Sequence, residues 1–384
     1  MNSEQKAWWR QLDVNFNKTK VEAGLLGGDN IKVSLAAGLD TLFRTLLSSG
    51  LTAMMGKKLL KDFEREIESL GFYTKALEQG EKSSVFNEPS AEVIDSICCD
   101  FKVKRNGRYG PINVYNLSFE SDYSPLNPAM NCYLDHVENL RAEAEYWCHE
   151  TAAPRKTLVF SHGFLFSHYG LNAAIFCLEY FYRHGYDIVL YKLPFHGPRR
   201  LKSNLVSGVG IFSMGWMHAN ESLLHGLYDL RVLVKYLKVN RAPTVGLSGF
   251  SLGGYISSLA ACVEPELAFV VPNAGVVSPV DTLLEWWPLS TIFERLAKPS
   301  NISIDVFRHG LAIHSPLTWQ PLLPPERLFL IGGAGDRLVH PRYIYLLQQH
   351  WQGCNIYWDS SSHAIFFKRK EYQRALLNFM ESCQ

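Results

Sequence analysis

The feature that most constrains the fold is a short strand that runs directly into a helix. Residues 243–262 read P-T-V-G-L-S-G-F-S-L-G-G-Y-I-S-S-L-A-A-C. Residues 244–247 are apolar enough for a buried strand, and residues 252–262 predict a helix. Ser251 stands between the two elements, flanked by Gly249 and Gly253, which let the two backbones approach closely. We therefore expect Ser251 to be exposed at a helix N-terminus, where the helix dipole favours negative charge.

A regular alternation of strands and helices begins at Lys156 and predicts an α/β fold with a mostly parallel sheet and helices on both faces. The predicted strands cover residues 157–160, 187–192, 244–247, 268–271, 327–331 and 354–358. The predicted helices cover residues 173–182, 221–238, 252–262 and 369–382. Upstream, residues 99–104 and 112–119 predict an antiparallel pair of strands, and residues 132–148 predict a helix.

The first 95 residues predict a helical extension that precedes the main domain, residues 96–384. Apolar residues recur at helical spacing over residues 31–70, in two sets separated by an expected break at residues 48–50. The sets are Leu35, Leu39, Leu42, Phe43 and Leu46, and Leu59, Leu60, Phe63, Ile67 and Leu70. Either these helices pack on the main domain, or they form a peripheral membrane or partner-binding surface. Trp8, Trp9, Met54 and Met55, beside Lys57 and Lys58, favour the second alternative.

A long connection interrupts the alternation after residue 272. More than forty residues separate two predicted strands there, which is too long for this kind of fold unless the segment has a function. Residues 280–287 and 302–313 look helical and are rich in Trp, Leu and Phe. We expect an inserted helical cap at about residues 279–322, with an ordinary helix and a long loop as the alternative.

The strand, the Gly249-x-Ser251-x-Gly253 turn and the small-residue helix together resemble the nucleophile elbow of the α/β-hydrolase superfamily. The resemblance implies a chain order of serine, then an acid after a late strand, then a histidine after the last strand. Asp336 follows a predicted strand in the pattern G-x-x-D-x-x-V, although an aspartate there could also merely cap the next helix. His363 follows the last predicted strand. The expected catalytic residues are Ser251, Asp336 and His363.

An oxyanion hole requires two main-chain N–H donors that face the reacting oxygen. Leu252 follows the serine and is expected to supply the first donor. The segment Ser161-His162-Gly163-Phe164 resembles the oxyanion loop of the superfamily, so we assign the second donor to Phe164. We expect His162 to hold that loop rather than to take part in catalysis.

A second motif, L-P-F-H-G-P-R-R at residues 193–200, stands where many relatives carry a D-x-x-G-H-G turn. Its P-x-H-G-x-R form resembles a branch of the superfamily grouped with abhydrolase domain-containing protein 18. Arg199 and Arg200 could bind an anionic part of a substrate, or they could pair with acidic residues within the fold. The candidate substrate-binding residues are His196 and Arg199, together with Trp286 and Trp287 in the expected cap.

The resemblance implies a serine hydrolase that cleaves carboxylic esters, without a metal or organic cofactor. The apolar residues of the expected cap favour an apolar acyl group in the substrate. A thioesterase or an acyltransferase could use the same residues. A further alternative is a non-catalytic scaffold with this fold that binds a membrane or a partner.

Composition excludes several other classes. The formal net charge is +1 and no long basic run is present, so we do not expect a nucleic-acid partner. The first ten residues lack a secretory signal and no apolar run is long enough to cross a bilayer, which favours a cytoplasmic protein. The eight cysteines are scattered without C-x-x-C pairs, which indicates reduced thiols and argues against a zinc site.

Overall fold

The computed structural model describes residues 7–19, 21, 30–151, 153–240, 242–297, 302–363 and 369–383, without the side chains of residues 30 and 54–62. Its strands are β1 Cys98–Gly107, β2 Gly110–Glu120, β3 Arg141–Cys148, β4 Lys156–Ser161, β5 Tyr186–Tyr191, β6 Val245–Phe250, β7 Val270–Asn273, β8 Phe329–Gly333 and β9 Asn355–Asp359. They form one sheet in the order β1-β2-β3-β5-β4-β6-β7-β8-β9. The pairs from β1 to β5 along this order are antiparallel, and those from β5 to β9 are parallel. The predicted α/β fold with a mostly parallel sheet is confirmed.

Helices cover both faces of this sheet. The helices are α1 Trp8–Gln11, α2 Asn30–Ser69, α3 Gly71–Gln79, α4 Lys82–Val85, α5 Ala91–Asp95, α6 Val137–Leu140, α7 Tyr169–Ile175, α8 Leu178–Arg183, α9 Gly210–Ser213, α10 Trp216–Asn240, α11 Leu252–Val263, α12 Pro279–Leu283, α13 Leu289–Ala297, α14 Ile304–Leu311, α15 Pro341–His350 and α16 Arg369–Ser382. Alternate residues of β4 belong to two separate apolar clusters. Val159 belongs to the cluster that includes residues of α10 and α11, whereas Leu158 and Phe160 belong to the cluster that includes residues of α8 and α16. This two-sided burial is the reason the central strands read as continuous apolar runs.

Two predicted helices differ from the structure. The helix expected over residues 132–148 is wrong, because residues 141–148 form β3. Ala142, Ala144 and Tyr146 are buried between less buried glutamates, and this period of two is the pattern of a strand. The helix expected over residues 173–182 is two helices, α7 and α8, which are separated at Cys177 by a left-handed backbone conformation with φ of 55°.

The break expected at residues 48–50 is also wrong, since α2 runs without interruption for 40 residues. Ser49 donates its hydroxyl hydrogen to the carbonyl of Thr45, as serines inside helices often do. Gly50 lowers helix propensity by about 1 kcal/mol relative to alanine, which does not by itself end a helix that packs along its length. The side chains of Met54, Lys57 and Leu59 and their neighbours at 55, 58 and 60 lie outside the described residues.

The first half of α2 has one packed face and one exposed face. Ala36, Asp40, Ser48 and Leu51 are buried against the rest of the molecule. The opposite face carries five large apolar residues that are 56–73% exposed, and we call them the outer stripe: Ile31, Leu35, Leu39, Leu42 and Leu46. The packed face agrees with the first alternative for this segment, and a peripheral membrane or partner-binding surface stays a prediction. The helix packs on the main domain, but it also leaves an apolar surface uncovered.

The two N-terminal tryptophans do not belong to an exposed surface. Trp9 is buried and stacks on the ring of His309, with 4.6 Å between the ring centroids. Trp8 is partly buried and donates its Nε1 hydrogen to the hydroxyl of Thr318. The interpretation that these tryptophans favour a membrane surface is therefore wrong, because their rings are occupied within the fold.

The long connection after β7 contains α12, α13 and α14. The helix expected over residues 280–287 ends earlier, at Leu283, and the sequence did not predict α13. Pro288 disfavours helical backbone at Trp287, which agrees with a start of α13 no earlier than Leu289. Among the described residues, no helix is long and apolar enough to span a bilayer. The histidines, cysteines and acidic residues in the described part of the chain also form no group that could hold a metal ion.

Candidate active site

Ser251 occupies a strained turn between β6 and α11. Its backbone has φ of 54° and ψ of −110°, a combination that residues other than glycine rarely adopt and that clusters at functional sites. The flanking glycines are required by close contacts. A Cβ on Gly249 would lie 2.2 Å from the carbonyl oxygen of Gly253, and a Cβ on Gly253 would lie 2.1 Å from that of Ser161. The sequence thus forces the serine into the turn and leaves its neighbours no room for side chains.

Asp336 and His363 are hydrogen-bonded to each other. The Nδ1 of His363 lies 2.6 Å from Oδ2 of Asp336. The other carboxylate oxygen, Oδ1, accepts hydrogen bonds from the main-chain N–H groups of Leu338 and Val339 at 2.9 and 2.8 Å. Because an ionised carboxylate only accepts, the neutral ring carries its hydrogen on Nδ1 and leaves Nε2 free to take up a proton.

The environment of His363 changes its basicity. Burial alone would lower its pKa, but the charge and hydrogen bond of Asp336, with a smaller contribution from Asp40, raise the pKa above the ordinary value of 6.5. A raised pKa means that the surroundings stabilise the imidazolium, which is the form produced when the histidine removes a proton from another group. The pair therefore has the electrostatics of a general base held by a carboxylate.

Two of these three residues line one apolar pocket. Ser251 and His363 both line it, as do Phe164 and Leu252, and its volume is about 850 Å³ including its open mouth. Much of the wall is apolar and comes from distant parts of the chain. It includes Phe43 and Leu47 of α2, Leu223 of α10, Leu283 of α12, and Trp286.

The two residues that are expected to supply the oxyanion donors line the pocket. Leu252 is the first residue of α11, and the N–H groups of a first helical turn have no acceptor within the helix. Phe164 follows Gly163, where a Cβ would lie 2.7 Å from the ring of Phe250, so this loop and the elbow are in close contact.

His162 lies behind that loop and is buried. Its Nδ1 donates to the carbonyl of Gly163 at 2.9 Å, and its Nε2 accepts from the N–H of Leu193 at 3.2 Å. Burial lowers its pKa well below the usual value, and the nearby His196 and Lys192 lower it further. A neutral histidine with both nitrogens occupied fits the structural role expected for it.

Two of the four candidate substrate-binding residues are buried behind the site. His196 is fully buried, its Nδ1 bonds the carbonyl of Pro194, and it does not line the pocket. Arg199 is also fully buried and pairs with Asp229 at 2.7 Å. It donates further hydrogen bonds to the carbonyls of Asn139 and Lys192. Substrate binding by His196 or Arg199 is therefore wrong, and the alternative of pairing within the fold holds for Arg199.

The two tryptophans of the expected cap behave differently from each other. Trp286 lines the pocket and donates its Nε1 hydrogen to the carbonyl of Leu338. Trp287 is 60% exposed and does not line the pocket, so the structure gives it no contact with a substrate there. Arg200 donates to the carbonyls of Asn204 and Leu205, not to an acidic side chain.

Sequence reasoning missed Asp40, Phe43 and Leu47, all on α2. Phe43 and Leu47 line the pocket, and Asp40 accepts a hydrogen bond from the main chain of His363. Their helical spacing was visible, but nothing in it indicated that the helix would lie against residues some 300 positions away. No local signal could have assigned them to the site.

The strand order and the strained serine beside a histidine–aspartate pair define a class: the chain has the α/β-hydrolase fold. Acetyl xylan esterase 1 from Thermoanaerobacterium sp. superposes with a TM-score of 0.54 at 16% identity, covering 84% of this chain and 94% of that chain. Acetyl xylan esterase from Paenibacillus sp. superposes with a TM-score of 0.55 at 12% identity, with the same coverage. At these identities the likeness shows the fold and not the substrate.

Sequence comparison finds relatives of the chain but no matching family model. Two uncharacterized proteins of Mycobacterium tuberculosis, from strains CDC 1551 / Oshkosh and ATCC 25618 / H37Rv, are each 30% identical over 272 residues. The match covers 68% of this chain and 62% of each relative, which is less than two thirds of the relatives' length.

Proposed function

We propose that this protein is a serine hydrolase that cleaves carboxylic esters through an acyl-enzyme on Ser251. One observation carries the proposal. A serine with a strained backbone shares an apolar pocket with a histidine whose other ring nitrogen is bonded to a buried aspartate. Serine hydroxyls are weak nucleophiles, and this combination is the general solution for activating one.

In the first proposed step, Nε2 of His363 takes the hydroxyl proton as the oxygen of Ser251 attacks the ester carbonyl. Asp336 holds the Nδ1 hydrogen and stabilises the imidazolium. The N–H groups of Leu252 and Phe164 bind the oxygen that becomes negative. The ester C–O bond then breaks, His363 returns the proton to the leaving alcohol, and the acyl group stays on Ser251.

In the second step, water attacks the acyl-enzyme with His363 again as the base. The bond between the acyl carbon and the serine oxygen breaks, His363 returns the proton to Ser251, and the carboxylic acid leaves. Neither step requires a metal or an organic cofactor. The same acyl-enzyme could pass its acyl group to another acceptor or arise from a thioester, so a thioesterase and an acyltransferase remain the alternatives on this site.

The pocket lining supports an apolar acyl group as the substrate feature. Phe43, Leu47 and Trp286 would contact the acyl chain rather than the reacting carbonyl, and each buried methylene contributes about 0.8 kcal/mol to binding. We also propose that residues 279–322 act as a cap over this pocket and residues 1–95 as an extension that supplies its wall. Assignment to the branch grouped with abhydrolase domain-containing protein 18 rests on residues 193–200 and stays a proposal.

A panel of p-nitrophenyl esters from acetyl to long acyl chains, beside a thioester and a phospholipid, tests this function. We expect kcat/KM to rise with chain length beyond acetyl, since each added methylene can be buried against the apolar wall. Hydrolysis of no ester by the folded protein would contradict the proposed function. A maximum at acetyl would contradict the apolar acyl group alone, and a preference for the thioester would favour the thioesterase.

We further propose that the outer stripe of α2 makes peripheral contact with a lipid surface. Exposed apolar stripes of this kind on an amphipathic helix insert at the boundary between headgroups and acyl chains. Phe43 lies on the same helix, is 44% exposed and also lines the pocket, so the uncovered surface is continuous with the pocket wall. A helix docked in this way would bring the pocket to a source of apolar acyl groups.

Co-sedimentation with phosphatidylcholine vesicles containing phosphatidylserine tests this contact. We expect the wild-type protein to sediment with the vesicles and the double variant Leu39→Glu/Leu42→Glu to stay in the supernatant, because burying two carboxylates in the bilayer boundary is unfavourable. Leu205→Glu serves as the control, since Leu205 is 89% exposed and lies off the stripe. Absence of vesicle binding, combined with a dimer in sedimentation velocity that the double variant dissociates, would instead assign the stripe to a second copy of the chain.

A further inference from the structure

We infer that Asp40, on the N-terminal helix α2, is a positioning residue for the proposed hydrolase, because it joins the loop of His363 to the loop of Asp336. The inference rests on the proposed function. Asp40 lies outside the two loops by about 300 positions and is 5% exposed. The inference therefore gives a positioning role in the active site to a helix that precedes the whole sheet in the sequence.

A single carboxylate oxygen makes both connections. The Oδ2 of Asp40 accepts a hydrogen bond from the main-chain N–H of His363 at 2.7 Å. The same oxygen accepts one from the main-chain N–H of Arg337 at 3.1 Å. His363 carries the proposed base, and Arg337 directly follows the proposed acid. One atom of α2 thus fixes the separation of the two loops whose side chains must meet.

Other residues of α2 also contact the loop of Asp336. The guanidinium of Arg44, one turn after Asp40, donates to the carbonyl of Arg337 at 2.8 Å. Ala36 lies one turn before Asp40 and contacts the loop of Asp336. A Cβ added to Gly335 would lie only 2.5 Å from the Cβ of Ala36. The close approach requires a glycine before Asp336. The loops are therefore in direct contact with the packed face of α2.

The charge of Asp40 adds an electrostatic effect to the mechanical one. The charged groups that face it are Asp336 and His363 from the loops, Arg337 from the loop of Asp336, and Arg44 from its own helix. Burial raises the pKa of Asp40, and the neighbouring Asp336 raises it further. In its ionised form Asp40 favours the imidazolium of His363. Removing this charge without removing the hydrogen-bond acceptor should lower the pKa of His363.

The variants Asp40→Asn and Asp40→Ala separate the two effects. Asparagine retains a carbonyl oxygen for the main-chain N–H groups but carries no charge. We expect Asp40→Asn to keep kcat within about tenfold of wild type and to move the acidic limb of the kcat/KM profile to lower pH, because kcat/KM reports the pKa of the free enzyme's base. We expect Asp40→Ala to lower kcat about 10²-fold with little change in KM, because both loops lose their anchor.

Thr41→Ala is the control, since Thr41 is the adjacent exposed residue on the same helix and should leave both kcat and the pH profile unchanged. If Asp40→Ala does not fold, the pH profile of Asp40→Asn decides. An acidic limb of Asp40→Asn that coincides with that of wild type would overturn the inference, as would wild-type kcat in folded Asp40→Ala. Failure of the proposed function is a separate outcome, which would show as wild-type protein that hydrolyses no ester or as Ser251→Ala that retains wild-type activity, whatever the Asp40 variants do.

Discussion

Ser251→Ala is expected to lower kcat for ester hydrolysis by about 10⁴- to 10⁶-fold while the protein stays folded. The hydroxyl oxygen is the atom to which the acyl group would be transferred, and alanine offers no substitute. The backbone of the turn is fixed by main-chain contacts that alanine preserves. The N–H of Ser251 donates to the carbonyl of Asn273 at 2.9 Å, and its carbonyl accepts from the N–H groups of Tyr255 and Val276. KM should therefore change far less than kcat.

The measurement combines steady-state kinetics on a p-nitrophenyl ester with labelling by a fluorophosphonate probe. Wild-type protein should acquire one probe, located on Ser251 by mass spectrometry, and Ser251→Ala should acquire none. Ser258→Ala is a matched control on the same helix, because it removes a buried hydroxyl that donates to the carbonyl of Gly254. Activity of Ser251→Ala within tenfold of wild type, or labelling elsewhere, would show that Ser251 is not the nucleophile.

The parts of the site that sequence reasoning predicted are those with a local physical cause. The elbow needs glycines at 249 and 253 because no side chain fits between β6, α11 and the end of β4. Asp336 and His363 were assigned from the chain order that the family resemblance implies, an acid after a late strand and a histidine after the last one, and the carboxyl ends of parallel strands meet at one edge of the sheet. Strand β6 itself was found because buried parallel strands read as apolar runs.

The parts that it missed depend on contacts between distant segments. The sequence of β3 offers both a helical interpretation and an alternation of period two, and only pairing with β2 and β5 decides between them. The spacing of apolar residues in α2 did not reveal that its buried face would carry Asp40 and Arg44. A polar residue on such a helix looks like part of the solvated side until its partners, here main-chain groups of two loops, are known.

Arg199 illustrates a different case, in which the sequence left open whether a residue in a recognisable motif binds the substrate or pairs with an acidic residue within the fold. Its partner Asp229 lies on α10, and burying an arginine is favourable only where a carboxylate and carbonyls satisfy its donors. The motif at residues 193–200 thus stabilises the turn after β5 from behind the pocket. A motif can therefore indicate where a segment lies in the fold, but the burial and partners of each side chain decide whether that side chain can contact a substrate.

Asp336→Asn should have the second largest effect, because the structure fixes which way the new amide would point. Oδ1 of Asp336 accepts from two main-chain N–H groups, those of Leu338 and Val339, so only the carbonyl oxygen of asparagine fits that position. The amide nitrogen must then face His363 in the place of Oδ2. An amide N–H donates, so Nδ1 of His363 would have to accept and its hydrogen would move to Nε2. The ring would hold the wrong tautomer for removing the proton of Ser251.

We expect kcat of Asp336→Asn to fall about 10⁴-fold, with little loss of stability because the main-chain hydrogen bonds remain. Kinetics on the ester measure the fall, and ¹⁵N NMR of the histidine ring measures the tautomer, which should carry its hydrogen on Nε2. Asp95→Asn is the control, since it removes the same charge from an exposed position at the end of α5. A folded Asp336→Asn enzyme with kcat within tenfold of wild type would mean that the carboxylate serves only as a cap for the main chain, the alternative role considered for this residue. In that case the base would need no fixed tautomer, and the proposed relation between residues 336 and 363 would be wrong even if Ser251 were essential.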